Sequence, residues 1–125
     1  MFATVPEVAH LLAARGPVSA WDQLVHGDLS GNVLFEDGLP PAVIDFSPYW
    51  RPKGFASAVV AVDAVVWHEA DVGLLATVVN DRDGTELLIR ALIFRLLAHR
   101  DPAAHASTYK RAIDQVDRLA SRSGR

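Results

Sequence analysis

Apolar residues recur along this chain at two spacings, and the change from one to the other marks its elements. From Pro6 to Arg15 the apolar positions Val8, Leu11 and Leu12 fall three and four apart, the face of a short amphipathic helix that stops at Gly16-Pro17. The runs Val33–Phe35 and Ala42–Ile44 have strand length and enclose the turn residues Glu36 to Pro41, with Asp37-Gly38 as the turn pair, so a β-hairpin is expected. Ser47 to Gly54, punctuated by Pro48, Pro52 and Gly54, reads as a loop. Helical spacing then returns over 55–69, 72–79, 85–99 and 102–121, with a break at Asp81-Arg82-Asp83-Gly84 and Asp83 or Thr85 as the cap of the helix that follows. The tail Ser121 to Arg125 is expected to fray.

Two of these helices are apolar on more than one side. Leu87 to Ala98 is interrupted only by Arg90 and Arg95, and Ala56 to Trp67 carries a single charge, Asp63. Helices of this kind pack on several neighbours rather than presenting one polar face to water. The pattern predicts an α+β fold, mainly α, with one short hairpin, and residues 1–125 as a single domain.

Composition narrows the partners. Half of the 125 residues are apolar, which lies outside the disordered range and allows a real core. With a net charge of −3 and scattered basic residues, nothing favours nucleic acid. The absence of cysteine excludes disulfides and thiolate metal sites and fits a reducing, cytoplasmic setting. The start, Met1 to Pro6, lacks the pattern of a signal peptide, and the apolar stretch Phe55 to Trp67 is too short to span a bilayer, so no membrane association is expected.

The candidate chemistry lies between residues 26 and 45. His26-Gly27-Asp28-Leu29-Ser30-Gly31-Asn32 precedes the first hairpin strand, and Ile44-Asp45-Phe46 follows the second. Two carboxylates and an amide on loops pinned by a rigid hairpin suit phosphoryl transfer: one Asp orients or deprotonates an acceptor hydroxyl, while Asn and a second Asp hold Mg²⁺ against nucleotide phosphates.

HGDLSGN followed by VIDF resembles the catalytic and metal-binding segments of the aminoglycoside phosphotransferase and choline kinase family, whose fold is protein-kinase-like. The stretch VLFEDGLPPAVIDFSPYWRP resembles an actinobacterial branch of it. The resemblance covers roughly residues 20 to 100 and is strongest from 25 to 52. It implies Asp28 as the catalytic aspartate, Asn32 and Asp45 as cofactor- and metal-binding residues, and Mg²⁺ and ATP as cofactors. It also implies a small-molecule hydroxyl as acceptor. The thirteen positions from Asn32 to Asp45 match the family spacing, whereas Asp28 and Asn32 are four apart where the family usually has five, a catalytic loop one residue shorter. Ser47 stands where protein kinases have glycine. Nothing before residue 26 reads as a glycine-rich phosphate loop, a strand lysine or its partner glutamate. The resemblance therefore implies the C-terminal lobe without its nucleotide-binding lobe. Weak nucleotide binding and no turnover are expected of these residues alone, and an apolar face is expected to be left for a second copy or a partner chain.

The supporting residues carry more than one reading. His26 is expected to brace the loop through its ring nitrogens, and Gly27 to supply backbone freedom. Asp63 has the placement of the buried aspartate that, in kinase-like folds, accepts backbone N–H groups of the catalytic loop; the alternative is a wet helix edge. Tyr49, Trp50 and Arg51 either line an acceptor pocket or pack the loop on the lobe. His68, Glu69 and Asp71 match no familiar zinc spacing, and His68 reads as a cap or surface residue. Two other function classes stay open: a non-catalytic scaffold or partner-binding module, and a metal-dependent hydrolase using His26, Asp28, Asp45 and His68.

Overall fold

The computed structural model describes residues 5–79 and 83–122. The break expected at 81–84 lies partly, and the fraying tail mostly, outside them. The chain is mainly helical, 57% helix and 12% strand. Its elements run α1 (Pro6–Ala14), β1 (Asp22–His26), β2 (Val33–Leu34), β3 (Ala42–Val43), β4 (Pro48–Pro52), α2 (Phe55–Trp67), a 3₁₀ helix (Val72–Val78), α3 (Gly84–Ala98) and α4 (Pro102–Arg122).

α3 is the centre of the fold. Leu88, Ala91, Leu92 and Leu96 are fully buried, and α1, α2, α4 and the 3₁₀ helix all pack against it. Its near-uniform apolarity follows from having neighbours on most sides. α4 is the opposite case, with Ala106, Tyr109, Ile113, Val116 and Leu119 buried at helical spacing and its other face in water. α2 begins after Gly54, whose φ of 92° suits glycine. It ends with Glu69 left-handed at φ 60° and the Ala70 N–H reaching back to the Ala64 carbonyl at 3.0 Å, a Schellman-type stop.

Two expectations are corrected. Residues 48–52, expected within a loop, form β4, antiparallel to β1 with Val25 opposite Tyr49 and Leu24 opposite Trp50. The prolines that suggested a loop stand at the two ends of the strand, in a two-stranded sheet where each strand is an edge and a missing N–H is tolerated. Residues 72–78 form a 3₁₀ helix rather than an α-helix. Gly73 and the β-branched Val72, Thr77 and Val78 are poor α-formers, and the Asp71 carboxylate caps the Gly73 N–H at 2.7 Å.

The start of α3 also differs from the capping expectation. Asp83 occupies the N-cap position without a side-chain cap bond, and Thr85 lies inside the helix. The Asp83 carboxylate instead accepts the backbone N–H groups of Ser19 (2.9 Å) and Ala20 (2.8 Å). One turn further on, Glu86 accepts the Gly16 N–H at 2.6 Å and Arg90 donates to the Gly16 carbonyl at 3.0 Å. These bonds fix the connection from α1 to β1, and so the approach of the chain to residue 26.

Candidate functional site

β1 delivers the chain to His26 and β4 carries it away from Ser47; the Gly27 N–H donates to the Ser47 carbonyl at 2.8 Å, closing the sheet at the mouth of the loop. His26 is buried. Its Nδ1 accepts the Asp28 N–H at 3.0 Å, so Nε2 carries the proton and donates to the Ile44 carbonyl at 3.2 Å. One ring thereby ties the loop before β2 to the segment after β3, and Phe46 packs edge-on against it with centroids 5.3 Å apart. Gly27 differs from the expectation of backbone freedom. Its φ is not positive; what it provides is space, since a Cβ there would lie 2.3 Å from Cδ2 of Tyr49.

Between Asp28 and Asn32 the chain makes one tight turn. The Asn32 N–H donates to the Leu29 carbonyl at 2.9 Å, and Gly31 takes a φ of 78°. The Asn32 side chain donates through Nδ2 to the Asp28 carbonyl at 2.7 Å, leaving Oδ1 as the acceptor end of the amide. β2 and β3 then pair with Val33 opposite Val43, and the Ile44 N–H donates to the Asn32 carbonyl at 2.9 Å. Asn32 therefore sits across the hairpin from Ile44, one position from Asp45. Asp45 is exposed and takes a φ of 48°, an uncommon conformation for a non-glycine residue and one open to aspartate. The hairpin turn has the expected form, with the Leu39 N–H bonded to the Glu36 carbonyl at 3.1 Å and Gly38 at φ 81°.

The resemblance implied that Asp63 accepts backbone N–H groups of the loop around Asp28; it does not. At 4% exposure it does not lie on a wet edge either. Its carboxylate takes the Arg95 guanidinium in a two-pronged pair, Nε to Oδ1 at 2.8 Å and a terminal nitrogen to Oδ2 at 2.7 Å. The same terminal nitrogen reaches Asp28 Oδ1 at 3.0 Å. Burial works against the Arg95 charge, but hydrogen bonds and charge from Asp63 and Asp28 outweigh it and raise its pKa above the ordinary value. Asp63 thus bears on Asp28 through Arg95. The nearness of an arginine 67 positions away from Asp28 had no signal in the local pattern; the one cue was that two apolar helices each carry charge, Asp63 on α2 and Arg90 and Arg95 on α3.

Tyr49 packs edge-on against Phe94 with centroids 5.2 Å apart, Trp50 is exposed, and Arg51 lies over the Tyr49 ring at 5.2 Å. Tyr49 and Arg51 line a cavity of about 590 Å³ that opens beside Asp28. His68 is the C-cap residue of α2 and exposed. Among the described residues no three His, Cys, Asp or Glu side chains gather as a metal cluster. The groups around the loop are hard oxygen donors, the type that Mg²⁺ takes in company with substrate phosphates. Large apolar side chains stay in solvent along the sheet and hairpin: Trp21 is 88% and Phe35 78% exposed, with Leu24, Leu34, Phe46 and Trp50 more than half exposed. Among the described residues no helix is long and apolar enough to cross a membrane.

Comparison with known proteins finds no matching family model, no matching curated protein and no matching solved structure.

Proposed function

We propose that residues 26–45 are the catalytic-loop and metal-binding side of an ATP-dependent phosphotransferase acting on a small-molecule hydroxyl, within a lobe of the protein-kinase-like C-terminal type. The observation that carries the reading is the 2.7 Å bond from Asn32 Nδ2 to the Asp28 carbonyl. It makes the amide nitrogen a brace and leaves the amide oxygen as an acceptor, with Asp45 one position beyond the residue paired to Asn32. In this reading Asn32 and Asp45 hold Mg²⁺, which would neutralise phosphate charge, and Asp28 orients the acceptor hydroxyl and receives its proton. Arg95 sets the angle of the Asp28 carboxylate.

These residues supply two protein oxygens to the metal and no phosphate-covering loop, so weak Mg·ATP binding and no turnover are expected of them alone. The exposed Trp21, Phe35 and Trp50 favour a second reading, a lobe that works only against a partner chain.

The test uses Mn²⁺ as a paramagnetic stand-in for Mg²⁺ in nuclear magnetic resonance spectra of the whole chain. Selective broadening of the Asn32 side-chain amide and of residues 44–46, abolished by Asp45→Asn, supports the reading. Broadening centred elsewhere, or unchanged by that substitution, defeats it.

A further inference from the structure

The cavity beside Asp28 is lined by four arginines, Arg15, Arg51, Arg90 and Arg95, and by one carboxylate, that of Asp28 itself. Its volume, about 590 Å³, is that of a small-molecule site. Arg95 is already committed to Asp63 and Asp28. The other three have no carboxylate within ion-pair distance among the described residues.

Two of them are nonetheless held. Arg51 is steadied by the Trp50 carbonyl at 2.9 Å and by the Tyr49 ring. Arg90 is anchored to the Gly16 carbonyl, while its Nε is buried with no hydrogen-bond partner. A buried donor left unpaired costs stability unless something else satisfies it. Apart from Ser47 and Tyr49, the remaining wall, Phe55, Ile93 and Phe94 among it, is apolar.

We propose that this cavity takes a small hydroxylated organic anion, bound through a carboxylate or phosphate group by Arg51, Arg90 and Arg15, with its hydroxyl towards Asp28. Guanidinium groups recognise both kinds of anion through paired hydrogen bonds. A cationic amine would instead meet three uncompensated like charges, with the one carboxylate already in a salt bridge. As an assignment of the acceptor, the proposal rests on the phosphotransferase reading. The acceptor oxygen would bond to the γ-phosphorus, the bond from that phosphorus to the β–γ bridging oxygen would break, ADP would leave, and the hydroxyl proton would pass to Asp28.

The experiment is titration of the whole chain, at fixed ionic strength and without nucleotide, with glycerate, glycerol 3-phosphate, glycerol and choline, followed by amide chemical shifts. Saturable shifts at Gly27, Ser47 and Phe94 are expected with an anion and not with glycerol or choline. The stronger of glycerate and glycerol 3-phosphate identifies carboxylate or phosphate as the preferred group. Arg51→Gln, at an exposed position outside the core, should weaken binding at least fivefold, and Arg90→Gln likewise if it folds. Equal response to glycerol, a response to choline at the same residues, or full affinity in Arg51→Gln overturns the proposal. Asp45→Asn should leave anion binding intact, so loss of the Mn²⁺ signal and loss of anion binding report separately on the two readings.

Discussion

Removing the Asp63 carboxylate is the most informative perturbation, because it separates the role of Arg95 in stability from its role at Asp28. In the native chain the Arg95 guanidinium gives two hydrogen bonds to Asp63, at 2.8 and 2.7 Å, and one to Asp28 at 3.0 Å. Breaking a buried pair by deleting one partner typically costs about 3–5 kcal/mol. Here the Arg95 side chain is 17% exposed and Asp28 56% exposed, so water and Asp28 recover part of that loss. Asp63→Ala is therefore expected to cost about 2–4 kcal/mol, and Asp63→Asn, which keeps one acceptor, about 1–3 kcal/mol. Replacing both partners, Asp63→Leu with Arg95→Met, removes the stranded charge and should recover most of the loss, giving a coupling of about 1–3 kcal/mol. Urea denaturation followed by tryptophan fluorescence measures the parent, Asp63→Ala, Asp63→Asn, the singles Asp63→Leu and Arg95→Met, and their double variant. An Asp63→Asn midpoint equal to that of the parent, or a double variant whose loss is the sum of the singles, would show that the pair does not hold α2 to α3.

Three further outcomes follow from local geometry. Gly84→Ala would place a Cβ 2.6 Å from the Val78 carbonyl oxygen and 2.6 Å from the Val79 Cα, backbone that cannot swing away, and should lower stability by about 1–3 kcal/mol in the same denaturation assay; an unchanged midpoint would refute the packing argument. Gly27→Ala should push the Tyr49 ring off Phe94, seen as altered ring-current shifts of Phe94, with a smaller stability loss because a side chain can yield. Burial, the stacked His105 ring at 4.0 Å and the nearby Arg95 lower the His99 pKa below its usual 6.5, so the unfolded chain takes up that proton first as pH falls. Stability should therefore drop below about pH 6.5, and less steeply in His99→Gln; identical pH profiles for the two proteins would count against it.

The sequence made the helices and the hairpin legible because their signals are local: three-and-four spacing at Val8, Leu11 and Leu12, and Asp37-Gly38 between two apolar runs. It misled at 48–52, where Pro48 and Pro52 outweighed the strand-forming Tyr49 and Trp50, because the partner that makes this a strand lies some 26 positions earlier. It misled again at 72–78, where apolar content suggested an α-helix and Gly73 decided otherwise. In the candidate site, the loop residues His26, Asp28 and Asn32 were identifiable from type and spacing. The residues that position them were not: Glu86, Arg90 and Arg95 on α3 and Asp83 at its N-cap reach segments 63 to 74 positions away. A charge on an apolar helix signals that it has a partner but not which one.

The short loop between Asp28 and Asn32 bears on how such a site can be built. A loop of this length could push Asp28 out of reach of its surroundings, and here it does not. With three residues between them, Leu29 to Asn32 close as a single turn, which requires the positive φ that Gly31 supplies. That turn sets the Asn32 Nδ2 at 2.7 Å from the Asp28 carbonyl, while the Asp28 N–H is held by His26 and its carboxylate by Arg95. Asp28 is thus fixed at its N–H and its carbonyl by two residues of its own loop, His26 and Asn32, and at its side chain by Arg95 of α3. An exposed carboxylate would otherwise keep its rotamer freedom, and ordering it at the moment of substrate binding would cost free energy. Here the cost is met in the folded state, by contacts whose other ends are anchored in buried α3, in the Asp63 pair and in the hairpin. The arrangement suits a group that must meet a ligand in one orientation, and a residue serving only as a solvated turn would have no need of it.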